Sequence, residues 1–154
     1  MDNVTANKSL ATATAVSRLS NEAGRALLTV RGQHFVIDSP GALEGPNEAP
    51  NPAELVLCAL ASCCVFLCER VAQEQDMPLR GVVATAAGDF DPRGVCGDPV
   101  DPSFQSFRVR LAVDGLNEPQ CESLVQAIKR RCPVYTTLAR SATVEIVVSH
   151  LGAS

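Results

Sequence analysis

The sequence has no tryptophan, and its aromatic residues are limited to one tyrosine and five phenylalanines. Proteins that bind single-stranded nucleic acid stack its bases on aromatic side chains, so this composition argues against such a partner. An excess of basic residues is also missing, because 13 Lys and Arg stand against 17 Asp and Glu, for a formal net charge of −4. We therefore expect no nucleic acid partner and no binding to an anionic membrane surface.

The sequence has no long hydrophobic run, and we expect no secretory leader. The longest apolar stretch covers residues 55–68, contains Ser62 and is 14 residues long, whereas a membrane-crossing helix needs about 20. The first residues carry neither the basic region nor the hydrophobic stretch of a signal peptide. We therefore expect a cytoplasmic protein without a membrane partner.

The rest of the composition indicates a folded domain. Hydrophobic residues make up 46% of the chain and charged residues 19%, which excludes an intrinsically disordered protein. A length of 154 residues is typical of one domain. The sequence predicts a single domain over residues 1–154, with residues 1–9 flexible.

Seven cysteines are many for a chain of this length. Without a secretory signal, a framework of disulfides is not expected. The sequence contains no C-x-x-C motif and only two histidines, His34 and His150. A zinc site would therefore need ligands from distant loops, such as Cys96 and Cys121. We predict no metal ion and no cofactor.

Alternating apolar residues and turn signals predict an α+β fold with the order βββ–α–ββ–α–β. The predicted strands are residues 10–19, 25–31 and 34–38 before the first helix, and 81–90, 104–113 and 143–149 after it. Residues 39–50 are rich in proline, glycine and acidic residues. This segment is interpreted as an ordered connector within the domain.

A long central helix is predicted from Pro52 to about Gln75. Asn51 can cap its N-terminus, Pro52 suits the first helical position, and Glu54 can reach back to the cap in a capping-box arrangement. The first four turns are apolar on nearly all sides, which is typical of a helix that is buried all round. In a small domain, such burial requires either a sheet wrapped about the helix or a partner subunit.

Two cysteines differ from the others in their surroundings. Cys132 precedes Pro133 after a second predicted helix, residues 118–131, so it can cap the next turn, and a helix N-terminus favours a thiolate. Cys63 lies in mid-helix, where an activated thiolate needs a cation from elsewhere, such as an arginine near a strand or turn. Spacing alone does not bring these two thiols together. Cys96 can be exposed in a polar loop, and the others are interpreted as small core residues: Cys58, Cys64, Cys68 and Cys121.

Several segments resemble motifs of the OsmC/Ohr superfamily. Residues 51–63, Asn-Pro-Ala-Glu-Leu-Val-Leu-Cys-Ala-Leu-Ala-Ser-Cys, are similar to its alanine-rich helix, which starts with Asn-Pro and carries a cysteine. Residues 88–94 resemble its strand-end motif, and residues 131–134 resemble the Cys-Pro context of its second cysteine. Glu44-Gly45-Pro46 before the helix also resembles the sequence of this superfamily at that place. These motifs occur in the expected order, and the resemblance covers essentially the whole chain.

The resemblance implies an intertwined homodimer in which sheets wrap two long helices, with active sites at the subunit interface. It also implies the reduction of organic hydroperoxides, with Cys63 as the peroxidatic thiol and Cys132 as the resolving thiol. The sulfenic acid on Cys63 would condense with Cys132 to a disulfide, which an external dithiol would reduce. A buried apolar pocket would favour alkyl or lipid hydroperoxides over hydrogen peroxide.

The chain departs from the hydroperoxide-resistance branch of the superfamily near the start of the helix. That branch has Glu directly after Asn-Pro, whereas this chain has Ala53 followed by Glu54. Glu54 is therefore expected either to cap the helix or to orient an arginine of the site. Arg25 is the best match for the arginine that would pair with the thiolate, with Arg18 and Arg31 as alternatives.

Other interpretations stay open from the sequence. Cys64 is an alternative peroxidatic thiol if the register shifts by one residue. Two alternatives to a peroxidase also stay open. One is a non-catalytic dimer that binds a small apolar ligand at its interface, and the other is a structural zinc or thiol-sensor protein that uses Cys96, Cys121 or His34. Three charged residues are expected to fix a turn and an ion pair and to take no part in catalysis: Asp89, Asp91 and Arg93.

Overall fold

The computed structural model describes residues 10–152. The predicted flexibility of residues 1–9 lies outside this range. The chain forms two compact units, the first ending at Pro52 and the second beginning at Ala53. The elements follow the predicted order, with one additional short helix before the last strand. The predicted α+β fold class is thus confirmed.

The first unit contains an antiparallel meander of β1 (Val16–Leu19), β2 (Arg25–Val30) and β3 (Gln33–Asp38). Arg31 and Gly32 form the turn between β2 and β3 with φ of 49° and 77°, the left-handed conformation that two-residue hairpin loops require. The prediction that the first strand begins at residue 10 is wrong, because residues 10–15 are not in a strand. In the antiparallel pairing Val16 lies opposite Thr29, and β2 ends at the next residue, Val30. Most of residues 10–15 therefore have no residue of β2 opposite them.

The connector after β3 is held by the buried carboxylate of Asp38, which is 1% exposed. The backbone N–H groups of Glu48 and Ala49 each donate to one oxygen of this carboxylate at 3.0 Å. Gly24 and Gly45 pack closely, since a Cβ atom at Gly24 would lie 2.8 Å from the Gly45 Cα. The segment therefore forms an ordered part of this unit, as predicted.

The second unit combines three helices with a mixed sheet. Its elements are α1 (Pro52–Glu74, which starts at the boundary), β4 (Gly81–Phe90), β5 (Phe104–Asp114), α2 (Glu118–Arg131), α3 (Pro133–Leu138) and β6 (Thr143–His150). β5 is the central strand, antiparallel to β4 and parallel to β6. The predicted loop between β4 and β5 contains a single 3-10 turn, Pro92–Cys96.

One face of β5 supplies the centre of the core. Its inward residues alternate along the strand and are at most 2% exposed: Phe107, Val109, Leu111 and Val113. This alternation follows from the two-residue period of a strand. They form one cluster with Cys132 and with buried residues of the two longer helices: Leu60, Cys64, Cys68, Val71, Cys121, Leu124, Ala127 and Ile128.

The single chain buries only one side of α1, so the predicted burial on all sides, which a partner subunit would complete, stays a prediction. Its buried residues form a stripe along one side: Leu60, Cys64, Cys68, Val71 and Ala72. Cys58 is exposed, so its assignment to the core is wrong, and Phe66 is 67% exposed. The pattern of one helix shows which faces are apolar but does not supply the element that covers each face.

α1 also has the length and composition of a membrane-crossing helix, with a mean hydropathy of 2.1 over an 18-residue window. Core helices of soluble proteins have the same property when they are apolar on most sides. The buried stripe of α1 belongs to the core cluster of the second unit. Hydropathy therefore does not by itself indicate a membrane partner, and the expectation of none stays a prediction.

Candidate active site

Two thiols that are 69 residues apart in the sequence meet in the second unit. The Sγ atoms of Cys63 and Cys132 lie 2.7 Å apart, and both cysteines are free thiols. Cys63 comes from the middle of α1, and Cys132 occupies the junction between α2 and α3. Cys63 is partly exposed, whereas Cys132 is fully buried in the core cluster. The two thiols therefore lie at the border between the core and the surface of the unit, with Cys63 on the outer side.

The junction between α2 and α3 fixes the position of Cys132. Its backbone N–H donates to the Ile128 carbonyl at 3.0 Å, as the last hydrogen bond of α2. Pro133 then opens α3, because proline suits a first helical turn that needs no N–H at that position. The Cys132 sulfur accepts a hydrogen bond from the Tyr135 N–H at 3.2 Å, which confirms the predicted N-cap role.

Cys63 is not activated as a nucleophile by the groups that act on it within the second unit. Burial, followed by the hydrogen bond to Cys132 and the charge of Cys132, raises the pKa of the Cys63 thiol to about 11. A hydrogen bond from the Val134 backbone lowers this pKa only in part. None of these influences is a cation, so the part of the chain that the structure describes leaves Cys63 protonated at neutral pH.

Arg25 lies in the first unit and is shared among three carboxylates. Its guanidinium donates to both oxygens of Asp38, at 2.7 and 2.8 Å, and to Glu22 and Glu48, at 2.6 and 2.8 Å. Hydrogen bonds to Asp38 and Glu48 hold the pKa of Arg25 above its usual range. The Arg25 guanidinium lowers the pKa of Asp38 to about 2, with further contributions from the two backbone N–H groups. The charge of this arginine is therefore already balanced within its own unit.

The other predicted site residues lie at exposed positions. Glu54 is exposed in the first turn of α1, at a position where an acidic side chain favours the helix N-terminus. Arg18 is exposed on β1, opposite Leu27. Arg31 is exposed in the β2–β3 turn. The catalytic assignments of Glu54 and of the three arginines stay predictions.

The remaining cysteines divide by burial. Cys64, Cys68 and Cys121 are buried, as predicted, and Cys96 is exposed. No group of three or more potential ligands that could hold a metal ion occurs among residues 10–152. The His34 ring lies 3.0 Å from the Thr29 hydroxyl. The zinc hypothesis therefore has no geometric support in the described part of the chain.

The charged residues near the end of β4 are structural. Asp91 caps the 3-10 turn by accepting from the Arg93 N–H at 3.0 Å and pairs with the Arg93 guanidinium at 2.6 Å. Asp89 pairs with Arg108 across the strands at 2.8 Å. The expected turn and ion pair are confirmed, and Arg108 is an additional partner that the sequence interpretation missed.

The sequence interpretation also missed Asp38. The signal was available, because a hairpin that turns at Arg31 and Gly32 places residues 25 and 38 opposite each other. An arginine and an aspartate at such facing positions predict an ion pair. No comparable signal exists for the Val134 N–H, whose approach to Cys63 depends on how α3 packs against α1.

Comparisons with known proteins agree with this architecture. A family model described as OsmC-like protein matches residues 45–147. The OsmC-like protein from Mycoplasma pneumoniae has a TM-score of 0.77 and 14% identity, over 91% of this chain and 97% of that chain. An organic hydroperoxide resistance protein OsmC from Legionella pneumophila has a TM-score of 0.70 and 24% identity, over 92% and 99%. The organic hydroperoxide resistance protein OhrB of Bacillus subtilis has a TM-score of 0.63 and 19% identity, over 90% and 98%.

No curated protein matches the sequence significantly. At these identities the solved structures share the fold, and the family model adds a match that includes α1, Cys63 and Cys132. A match over residues 45–147 covers well over half of the 154 residues. The chain therefore belongs to the OsmC-like protein family.

Proposed function

We propose that the protein is a thiol peroxidase that reduces organic hydroperoxides to alcohols, with Cys63 and Cys132 as its redox pair. The observation that carries this proposal is the 2.7 Å separation of the two sulfur atoms. From that separation, a disulfide of about 2.05 Å needs only a small movement. The relatives described as organic hydroperoxide resistance proteins support the choice of substrate class.

The two thiols supply both electrons of the reaction. The Cys63 thiolate attacks the distal peroxide oxygen, the O–O bond breaks, and the alkoxide takes up a proton and leaves as the alcohol. Cys132 then attacks the sulfenic sulfur of Cys63, forms the disulfide and expels water. An external dithiol reduces this disulfide by exchange and restores both thiols. A cytoplasmic location, where such dithiols keep thiols reduced, belongs to the proposal.

Exposure supports this assignment of roles within the pair. Cys63 is partly exposed, whereas Cys132 is fully buried, so a hydroperoxide that enters from solvent meets the Cys63 sulfur first. The Tyr135 N–H holds the Cys132 sulfur in place. Cys132 is therefore suited to attack a sulfenic acid on its neighbour without reorientation.

Activation of Cys63 requires a cation, because its pKa of about 11 keeps it protonated at neutral pH. Arg25 is our first candidate, Arg18 and Arg31 are the alternatives, and Glu54 would orient the arginine or cap the helix. We place these contacts in a homodimer whose active sites lie at the subunit interface. The exposed apolar face of α1, which includes Cys58 and Phe66, supports a second copy as the partner.

A second candidate function is a non-catalytic dimer that binds a small apolar ligand at its interface. The raised pKa of Cys63 and the three carboxylates around Arg25 favour this alternative. A protein of this kind would keep its thiols reduced in the presence of a hydroperoxide, whereas a peroxidase would lose two of them per turnover.

The experiment is a thiol count before and after one equivalent of cumene hydroperoxide, with peptide mapping of any new disulfide. We expect the rapid loss of two thiols per chain as a Cys63–Cys132 bond, and no rapid loss in Cys63→Ser. Cys96→Ser is the matched control, because it removes an exposed thiol outside the pair and should react like the parent. No loss, or slow loss scattered over all seven thiols, would favour the ligand-binding alternative.

A further inference from the structure

The two helices that lead to the redox thiols are also joined by an ion pair between their C-terminal ends. The Arg131 guanidinium of α2 donates to both oxygens of the Glu74 carboxylate of α1, at 2.6 and 3.0 Å. A contact through two parallel hydrogen bonds fixes the orientation of the two groups as well as their distance. Arg131 directly precedes Cys132, so the ion pair and the resolving thiol share the end of α2.

Arg70 supports this ion pair from within α1. It lies four residues before Glu74 and donates to one oxygen of the same carboxylate at 2.9 Å. The hydrogen bond from Arg131 is the largest influence on the pKa of Glu74, and together with Arg70 it outweighs the effect of burial and lowers this pKa to about 2. Glu74 therefore carries its full negative charge at neutral pH, between one arginine of its own helix and one of α2.

The position of Glu74 indicates that its contact with α2 is the important one. Glu74 is the last residue of α1, and the final turn of this fully described helix contains no basic residue. An acidic side chain is disfavoured there by the negative end of the helix dipole. By contrast, α2 ends with Lys129, Arg130 and Arg131. Arg131 therefore compensates both the carboxylate of Glu74 and the negative end of its own helix.

The ion pair and the thiols attach the end of α2 to α1 at two separate places. Cys63 and Glu74 are 11 residues apart on α1, which corresponds to about 16 Å along the helix. Their partners, Cys132 and Arg131, are neighbours in the sequence. A single contact would leave the end of α2 free to pivot, whereas two contacts at this separation fix both its position and its direction.

We propose that Glu74 and Arg131 are positioning residues for the redox pair, which hold the Cys132 sulfur close to Cys63. This inference rests on the proposed function for the use of the two thiols as a redox pair. The Cys132 N–H donates to the Ile128 carbonyl at 3.0 Å, so Cys132 moves with the last turn of α2. Weakening the ion pair therefore lets the two sulfurs separate and lowers the effective concentration of one thiol at the other.

The experiment measures the reduction potential of the Cys63–Cys132 pair in glutathione buffers. Oxidised glutathione takes two electrons and two protons from the thiols, which become a disulfide, and it leaves as two molecules of reduced glutathione. This equilibrium depends on the effective concentration of the two thiols and involves no peroxide. Trypsin cleaves after Arg130 or Arg131 and after Arg140, so Cys132 is the only cysteine of its peptide. Differential alkylation of that peptide gives the oxidised fraction, and the linked peptide identifies the partner.

Glu74→Gln and Arg131→Gln should each weaken disulfide formation. The two side chains are 39% and 40% exposed, and the expected effect for an ion pair with this exposure is about two- to fivefold. The potential would then be about 10 to 20 mV less negative. The double variant should shift it no further than either single variant, because each substitution removes the same contact. Arg131→Lys keeps the charge and should restore part of the parent potential.

Arg80→Gln is the matched control in the same unit. Arg80 also donates to both oxygens of one carboxylate, that of Asp114 at the end of β5, at 2.9 and 2.6 Å. This ion pair contacts neither of the helices that lead to the thiols, so its removal should leave the potential unchanged. Thermal unfolding of all variants measures how much stability each ion pair contributes, independently of the potential.

The positioning role would be overturned if Glu74→Gln and Arg131→Gln kept the parent potential, or shifted it no more than Arg80→Gln does. The ion pair would then contribute to stability alone. Glu74 and Arg131 lie on different helices, and each single variant tests the proposal by itself. The test therefore does not depend on the folding of both.

The outcomes also separate this inference from the proposed function. If the parent forms the Cys63–Cys132 disulfide and the variants keep its potential, the redox pair stands and the positioning role fails. If the potential shifts as expected but cumene hydroperoxide consumes no thiols, the positioning role stands and the peroxidase proposal fails. If the parent forms no such disulfide in any glutathione buffer, both proposals fail.

Discussion

Arg25 and Asp38 face each other across the β2–β3 hairpin, and the guanidinium donates to both oxygens of the carboxylate, at 2.7 and 2.8 Å. The same carboxylate accepts the backbone N–H groups of Glu48 and Ala49. One buried side chain therefore orients a predicted site residue and fastens the connector that leads to α1. Removing one partner of such an ion pair lowers the stability of the fold mainly because the charge of the other partner is left uncompensated.

The first prediction concerns the stability of this unit. Asp38→Asn should lower the melting temperature clearly, because the amide can neither balance Arg25 nor accept four hydrogen bonds equally well. Glu48→Gln is the matched control, since the Glu48 side chain is 73% exposed and adds one ion pair to the same arginine. Thermal unfolding followed by circular dichroism measures both variants. A larger shift for Glu48→Gln than for Asp38→Asn would contradict the central role of Asp38.

The second prediction is the pH dependence of the same interaction. Arg25 and the backbone N–H groups lower the pKa of Asp38 to about 2 in the folded protein, whereas an unfolded chain has an aspartate pKa of about 3.9. The contribution of Asp38 to stability is therefore fully present above pH 4 and is lost as the pH falls toward 2. Denaturant unfolding between pH 5 and pH 2 should show a smaller loss of stability in Asp38→Asn than in the parent protein. If the free energy of unfolding fell equally with pH in the parent and in Asp38→Asn, the proposed contribution of Asp38 would be contradicted.

Local signals in the sequence predicted most of the fold. Asn51, Pro52 and Glu54 located the start of α1, and Asn117 located that of α2, because caps and a proline at the first helical position act over a few residues. The exposure of Cys58 could not be predicted, since it depends on which other element covers that face of α1. The 2.7 Å approach of Cys63 to Cys132 likewise depends on how the end of α2 packs, and only the family resemblance suggested it.

The third prediction tests which arginine serves the thiolate. If Arg25 activates Cys63, Arg25→Gln should slow its alkylation at pH 7 by about tenfold for each unit by which the pKa rises. Arg18→Gln and Arg31→Gln should leave the rate unchanged. The measurement is the rate of iodoacetamide labelling of Cys63, determined by peptide mass spectrometry from pH 6 to pH 10.

A structural effect of Arg25→Gln can be separated from an electrostatic one. Glu48→Gln weakens one hydrogen bond of the same arginine but keeps both the cation and its contact with Asp38, so it should not slow the alkylation of Cys63. Equal rates in Arg25→Gln and the parent, combined with a loss in Arg18→Gln or Arg31→Gln, would transfer the role to that arginine. Equal rates in all three variants would exclude each of them as the activating cation.

The fourth prediction concerns the exposed face of α1. If a second copy of the chain covers this face, a charge at Phe66 is buried in the dimer without a partner, at a penalty of several kcal/mol. Phe66→Glu should therefore shift the protein to a monomer, because Phe66 is 67% exposed in the single chain and the charge is solvated there. Val83→Glu is the control, at a valine on β4 that is 52% exposed. Light scattering after size-exclusion chromatography gives the masses, and a Phe66→Glu dimer as stable as the parent would exclude this face from the interface.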